Sequence, residues 1–348
     1  MQKKRNLGVI IGILIVVLIA LILISIAAGR YVIRPAEILQ LFKTQIAETF
    51  HIGMASGTTN KSAATVLFQS RLPRIIAAML IGCALSVSGA SYQGIFKNPM
   101  VSPDLLGASA GAGCGAALGL LLSLPTIGVQ FLAFGFGLLS VAITVVISRI
   151  VGGKLDTSPI LLVLSGIVVG ALFQAFISII KYVADPFDTM PNIAFWLMGG
   201  LTYVTKSSVW FLLIPVLAGT VICFLLRWKI NVLSFGVDEA EALGVPVRRY
   251  QGIIIICATF MTASSVAVGG MIGWVGLIVP HFARIIAGPD YRRMLPCAIV
   301  LGSGFLLLVD DVARCLFPQE LPIGILTAII GAPVFVALLA KGRKGFLA

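Results

Sequence analysis

Residues 7–28 read LGVIIGILIVVLIALILISIAA, a run without one ionisable side chain. About 20 consecutive apolar residues form a helix long enough to cross the hydrocarbon of a bilayer. The pattern recurs along the whole chain. Ten predominantly apolar segments, the first included, fall near residues 7–28, 72–93, 104–123, 127–149, 159–183, 209–227, 250–270, 275–287, 294–316 and 323–341. With 59% hydrophobic and 11% charged residues and a mean hydropathy of +1.08, the 348 residues carry more apolar surface than a soluble fold of this size can bury. The expected fold class is an all-α polytopic membrane protein, with about ten transmembrane helices in a single domain over residues 1–348. The first run is too long for the roughly 7–15-residue core of a signal peptide. It reads as a retained span behind the basic head Lys3, Lys4 and Arg5.

Charge suggests the orientation. A cytoplasmic amino terminus followed by ten crossings returns the carboxyl terminus to the cytoplasm. Sixteen of the 25 Lys and Arg residues then lie inside, and six of the nine outside are confined to residues 30–74, as the positive-inside rule prefers. The net charge of +12 is carried at span ends facing anionic lipid, so it does not imply nucleic acid. Cys83, Cys114, Cys223, Cys257, Cys297 and Cys315 are widely separated in apolar runs with no CxxC. They read as small packing residues, not as a redox pair or metal site.

Three stretches stand out from this background. In QSRLPRIIAAMLIGC (69–83), Arg71 and Arg74 bracket Pro73 at the outer mouth of the second span. Proline suits a first helical turn, which would hold the two arginines on one face of a helix start. Either their stems anchor the helix end at the interface, or they await an acidic partner outside. In LLGASAGAGCGAALGLLL, Gly107, Gly111, Gly115 and Gly119 recur every four residues, a ladder that lets another helix approach closely in lipid. Arg71–Gly94 and Arg248–Gly270 form an internal echo. Each runs from basic residues through an apolar helix to glycine and then a proline-bearing stretch, in opposite directions across the membrane.

One polar cytoplasmic connection, within residues 236–251 (GVDEAEALGVPVRRYQ), has the marks of a partner site. Asp238 and Glu241 are spaced as a capping box, Gly244 suits a helix stop, and Pro246 can open a second short helix leading to Arg248 and Arg249. Ala240 and Leu243, three apart, would face one groove. No G-x-x-x-x-G-K-[ST] loop occurs, and GGKLDTS (152–158) has the wrong spacing, so any ATPase must be a separate chain.

These residues together resemble the FecCD-type permease subunits of ABC importers for iron-siderophores, haem and vitamin B12. The likeness runs through RLPR (71–74), NPMVSPDLLGASAGA (98–112), FWLMGGL (195–201), EALGVP (241–246), GGMIGWVGLIVPHFARIIAGPDYRRMLP (269–296), VDDVAR (309–314) and ELPIGILTAIIGAPVF (320–335). It implies a type II importer permease in a bacterial cytoplasmic (inner) membrane. It also implies a homodimer, two cytoplasmic ABC ATPases that hold ATP and Mg, and an extracytoplasmic substrate-binding protein. The chain itself would be no enzyme, with no catalytic residue, metal or cofactor of its own. By the same resemblance Arg71, Arg74 and Arg314 meet acidic residues of the binding protein, and Glu239, Ala240, Glu241, Leu243 and Gly244 form the coupling helix seated in the ATPase. Thr157 and Ser158 match a cytoplasmic gate, although Ser or Thr before Pro159 is also an ordinary helix start.

Several features stay open at this level. Asp310 and Asp311 stand four and three residues before Arg314 and could pair with it along the helix; Asp311 is an extra charge relative to the family. His281, without a second ligand nearby, reads as structural, and His51 is uninformative. The outer connection 30–70 is long for the family. An ion-gradient transporter would need mid-membrane ionisable groups, for which only Asp310 and Asp311 qualify. An intramembrane enzyme would need a catalytic cluster such as HExxH, and none appears. The resemblance favours a bulky iron chelate (siderophore or haem) as cargo, with cobalamin as the alternative.

Overall fold

The computed structural model describes residues 7–29, 31, 33–50, 60–152, 159–316 and 319–346. All ten expected segments are helices. In chain order the helices are α1 (Leu7–Ala27), α2 (Pro35–Phe50), α3 (Lys61–Thr65), α4 (Leu72–Ile95), α5 (Ala108–Leu121), α6 (Thr126–Gly152), α7 (Pro159–Val183) and α8 (Thr189–Leu197). They continue with α9 (Lys206–Leu225), α10 (Arg227–Leu233), α11 (Val237–Ala242), α12 (Val247–Gly269), α13 (Val275–Ala287), α14 (Tyr291–Cys315) and α15 (Ile323–Phe346). Among the described residues there is no strand.

Among the described residues, seven helices are long and apolar enough to span a bilayer unaided. With 14 and 13 residues, α5 and α13 are only about 20 Å long, short of the ~30 Å hydrocarbon core. The ten expected segments are thus seven full-length helices and three shorter apolar ones, the third being α15. The stretch 101–107, with a 3-10 turn at Pro103–Leu106, leads into α5, and the non-helical stretch 270–274 leads into α13. Non-helical backbone is tolerated at that depth only when covered by protein, and Val101, Leu106, Gly270 and Ile272 are buried.

The centre of the bundle is α4 and α12. In their most apolar stretches 83% and 78% of residues are buried, against 6% for α1, which therefore lies at the periphery. Helices come together in lipid through small residues, because burying apolar side chains there gains nothing over lipid contact. Accordingly, Gly82 of α4 lies against Gly302 of α14, and Gly89 against Gly276 of α13. The glycine ladder packs on α6. A Cβ at Gly115 would meet the Leu132 backbone, and one at Gly119 would lie 3.1 Å from Val129 Cα. Gly107 ends the ladder differently, in a left-handed conformation (φ 85°) at the start of α5. The echo noticed in the sequence has a spatial counterpart, since α4 and α12 pack together and Pro103 abuts Gly276 in the stretches that follow them.

The second span does not begin at Pro73. Helix runs continuously from Lys61 to Ile95, with a π-helical turn at Val66–Arg71. Proline inside a helix leaves the carbonyl four residues earlier without its donor and crowds it. Widening the preceding turn to i→i−5 bonding, as in Leu72 N–H to Leu67 O, relieves this. The long connection 30–70 is correspondingly helical in its described parts. There α2 and α3 enclose a small core of Ile33, Leu41, Ala63 and Leu67, closed by an edge-to-face contact of Phe42 and Phe68 at 5.5 Å.

Candidate functional site

The three arginines offered for docking at one end of the bundle are turned inward. Arg71, Arg74 and Arg314 are 5%, 9% and 6% exposed. Arg74 grips Asp310 with Nε (3.0 and 3.1 Å) and Nη2 (2.9 Å), and reaches Glu320 Oε2 with Nη1 at 2.9 Å. Thr202 donates to the same Glu320 oxygen at 2.8 Å. Arg314 donates to Asp311 Oδ1 (3.1 and 2.5 Å) and to both oxygens of Ser25 (2.6 and 2.7 Å), while the Ser25 hydroxyl donates to Asp311 at 2.8 Å. Arg71 donates to the carbonyls of Ile26 (2.7 Å), Ala27 (3.4 Å) and Tyr31, which close the end of α1. The physical reason is desolvation. At the edge of a membrane a guanidinium either stays in water or finds anions and carbonyls within the protein, and this chain supplies them.

The two aspartates thereby acquire separate tasks. Asp310, fully buried, serves Arg74 on α4. Asp311, the extra charge, ties Arg314 and the end of α1 to α14. Both lie within two turns of the end of α14, not at mid-membrane. Paired and placed so, they make a poor ion relay. Sequence spacing offered both aspartates to Arg314, whereas the fold gives Asp310 to Arg74. Glu320, Ser25 and Thr202 complete the cluster and were not singled out from sequence; their partners are 118 to 289 residues away.

At the opposite end, α10 and α11 connect α9 to α12. Asp238 and Glu239 occupy the first turn of α11, where carboxylates favour the helix dipole, but the N-cap is Gly236 and no side chain caps it. The expected capping box is absent. The helix stop is as expected. Gly244 sits at φ 71°, with Gly244 N–H to Glu241 O (2.8 Å) and Val245 N–H to Ala240 O (2.9 Å), the paired bonds of a Schellman motif. Pro246 caps α12 directly, so the anticipated second short helix is the first turn of a span. Ala240 and Leu243 do not share a face: Ala240 is completely buried and Leu243 is 64% exposed. Leu243 and Phe235 present apolar side chains outward, with Glu239 and Glu241 exposed between them. A Cβ at Gly244 would touch nothing.

Thr157 and Ser158 lie outside the described residues, as does His51. His281 is half-buried on α13, and among the described residues no cluster of three His, Cys, Asp or Glu could hold a metal. A cleft of about 390 Å³ lies where the two interrupted stretches meet α7. It contains Asp104, held by the Ser109 hydroxyl, with Gln174, Met271 and Gly273 nearby.

The chain is a helical membrane bundle with two short helices preceded by non-helical or 3-10 backbone, a charge-locked end, and at the other end a short helix closed by a Schellman stop. The chain belongs to the FecCD transport family, whose model matches residues 17–341. It is 35% identical over 348 residues to the molybdate import system permease protein MolB of Haemophilus influenzae, covering 99% of both chains. It is 33% identical over 347 residues to the vitamin B12 import system permease protein BtuC of Citrobacter koseri, covering 99% of this chain and 97% of that one. A protein of Helicobacter pylori described as an iron chelatin transport system permease shares 36% identity over 282 residues, 81% of this chain and 84% of the other. Among solved structures, an inward-facing ABC transporter described as metal-chelate type superposes with a TM-score of 0.84 at 34% identity, covering 96% of this chain and 99% of that one. PsaBC from Streptococcus pneumoniae shares the fold alone, at TM-score 0.54 and 16% identity, covering 78% and 92%. The protein is thus an ABC importer permease of type II architecture.

Proposed function

We propose that this permease moves a bulky iron chelate, a siderophore complex or haem, into the cytoplasm by alternating access. The reading is supported chiefly by the likeness, over 96% of the chain, to a transporter described as metal-chelate type. Two copies would enclose the pathway in a bacterial inner membrane, with both termini in the cytoplasm. Two ABC ATPases carrying ATP and Mg would seat against α11, and a substrate-binding protein would dock at the arginine end. ATP binding draws the ATPases together, the coupling helices follow, and the bundles tilt between two states. Thr157 and Ser158 would serve as the cytoplasmic gate, and residues 236–251 as the coupling element.

Docking through Arg74 takes a specific form in this geometry. Glu320 is the most accessible of the carboxylates that hold the three arginines, with a side chain 26% exposed. An incoming glutamate of the binding protein would take its place on Nη1, while Asp310 keeps hold of the other side of the guanidinium. Such an exchange orients the partner and adds little affinity, since accessible ion pairs contribute about 0–1 kcal/mol.

A second reading, molybdate, is favoured by the H. influenzae relative that spans 99% of the chain; cobalamin is the third, on the strength of the C. koseri relative. The cognate binding protein decides among them. Titration of that protein with ferric siderophore, haemin, cyanocobalamin and molybdate is expected to show saturable binding of an iron chelate. Selective binding of molybdate or cobalamin would replace the iron assignment.

A further inference from the structure

The cleft of about 390 Å³ beside α7 lies at membrane depth. The Leu105 carbonyl sits against Gly166, and Gly107 against Gly166 and Gly170, which puts this wall about 10–17 Å along a helix of roughly 37 Å. Leu105, Ile167, Met271 and Ile272 give the cleft apolar walls. Among the described residues its only charged lining residue is Asp104.

That carboxylate differs from the two at the arginine end. Asp310 and Asp311 are each held by an arginine, whereas Asp104 makes no ion pair among the described residues. The Ser109 hydroxyl donates to Asp104 Oδ1. Oδ2 has no protein donor, and it is not sealed off as Asp311 Oδ2 is, since Asp104 is only half-buried. A carboxylate accepts through both oxygens, so an acceptor stays open to the cleft whichever one Ser109 holds. An ionisable group at membrane depth is costly without a counter-charge. The chain supplies none here, and a ligand that enters the cleft can.

We propose that this cleft binds a small organic cation, an alkyl- or arylalkylammonium, through Asp104. The ammonium group donates to the free carboxylate oxygen, and the hydrocarbon arm lies on Leu105, Ile167, Met271 and Ile272. A bare inorganic cation fits poorly, because the space is far larger than an ion and its mostly apolar walls offer few oxygens to replace the ion's water. The lone negative charge excludes an oxyanion. The inference stands on the cleft alone and is independent of which cargo the permease carries.

The test uses the full chain in phosphatidylcholine nanodiscs at neutral pH with 4-fluorobenzylammonium as probe, read by ¹⁹F NMR against empty nanodiscs to subtract partitioning into lipid. Saturable line broadening displaced by unlabelled benzylammonium is expected. The neutral isostere 4-fluorobenzyl alcohol should bind the unaltered protein about tenfold more weakly, the equivalent of ~1.4 kcal/mol for one charge-assisted hydrogen bond. Asp104→Asn should abolish that preference and leave the alcohol unchanged. Gly170→Leu, whose Cβ would meet only Gly107 Cα at 4.0 Å, fills the cleft without touching the carboxylate and should abolish binding of both probes. Absence of saturable binding overturns the proposal, as does equal affinity of the two probes for the unaltered protein, a comparison that needs no variant and holds even if Asp104→Asn misfolds. Undiminished binding of the cation to Gly170→Leu overturns it too, by placing the site elsewhere.

Discussion

Arg74 and Asp310 offer the sharpest energetic test of how this bundle is held together. Asp310 is fully buried, and its carboxylate receives three of Arg74's hydrogen bonds at 2.9 to 3.1 Å. Arg74→Met keeps the apolar stem and removes the only cation bonded to that carboxylate among the described residues. Stranding a buried charge costs about 3–5 kcal/mol. The bond to Glu320 adds little to that figure, because its accessible carboxylate regains water when Arg74 is lost; such pairs contribute about 0–1 kcal/mol. Asp310→Leu alone strands the guanidinium, but Glu320 still holds it at 2.9 Å, so its cost should fall at the low end of the range. The double variant Arg74→Met/Asp310→Leu strands neither charge, and replacing a buried pair by apolar residues is often neutral. A double-mutant cycle, followed by circular dichroism during unfolding in mixed micelles, should therefore give a coupling energy above about 2 kcal/mol with the double variant close to the parent. Simple additivity, or an Arg74→Met cost under about 1 kcal/mol, would refute the reasoning.

Three further outcomes follow from the same geometry. Glu320→Gln removes the internal competitor for Arg74, so affinity for the cognate binding protein at low salt should rise about three- to fivefold, the equivalent of up to ~1 kcal/mol; calorimetry showing no change or weakening would argue against exchange at this site. Gly244→Trp places its side chain in open space at φ 71°. It should leave the bundle folded while the reconstituted complex hydrolyses ATP without substrate uptake, and normal uptake in flux assays would remove α11 from the coupling path. Gly115→Val drives a side chain into the Leu132 backbone and should destabilise by about 1–3 kcal/mol, visible as a lowered thermal midpoint; an unchanged midpoint would mean that α5 and α6 can separate freely.

Span positions were legible in the sequence because a helix in lipid must be apolar for most of its length, whatever it packs against. Helix ends with a local signal were legible too, such as the Gly244 stop. What could not be read was which charge meets which. Helical spacing, the only geometry that a sequence displays, offers both Asp310 and Asp311 to Arg314; Asp311 takes that place and Asp310 does not. The partner of Arg74 lies 236 residues away, brought close by the packing of α4 on α14. The π turn before Pro73 escaped for a different reason: proline announces a helix start and an interior bulge in the same way. The burial of Ala240 also depends on tertiary contact. Three-residue spacing says that two side chains are near each other, not that both face out.

The account rests on this permease being a conduit driven from outside itself. Proteoliposomes carrying the chain alone, and others carrying it with its ATPase, would be supplied with cognate binding protein and radiolabelled ferric siderophore. Uptake is expected only with the ATPase present and ATP at the face of α11, with a proton or sodium gradient having no effect. Uptake by the chain alone under an imposed ion gradient would contradict the account.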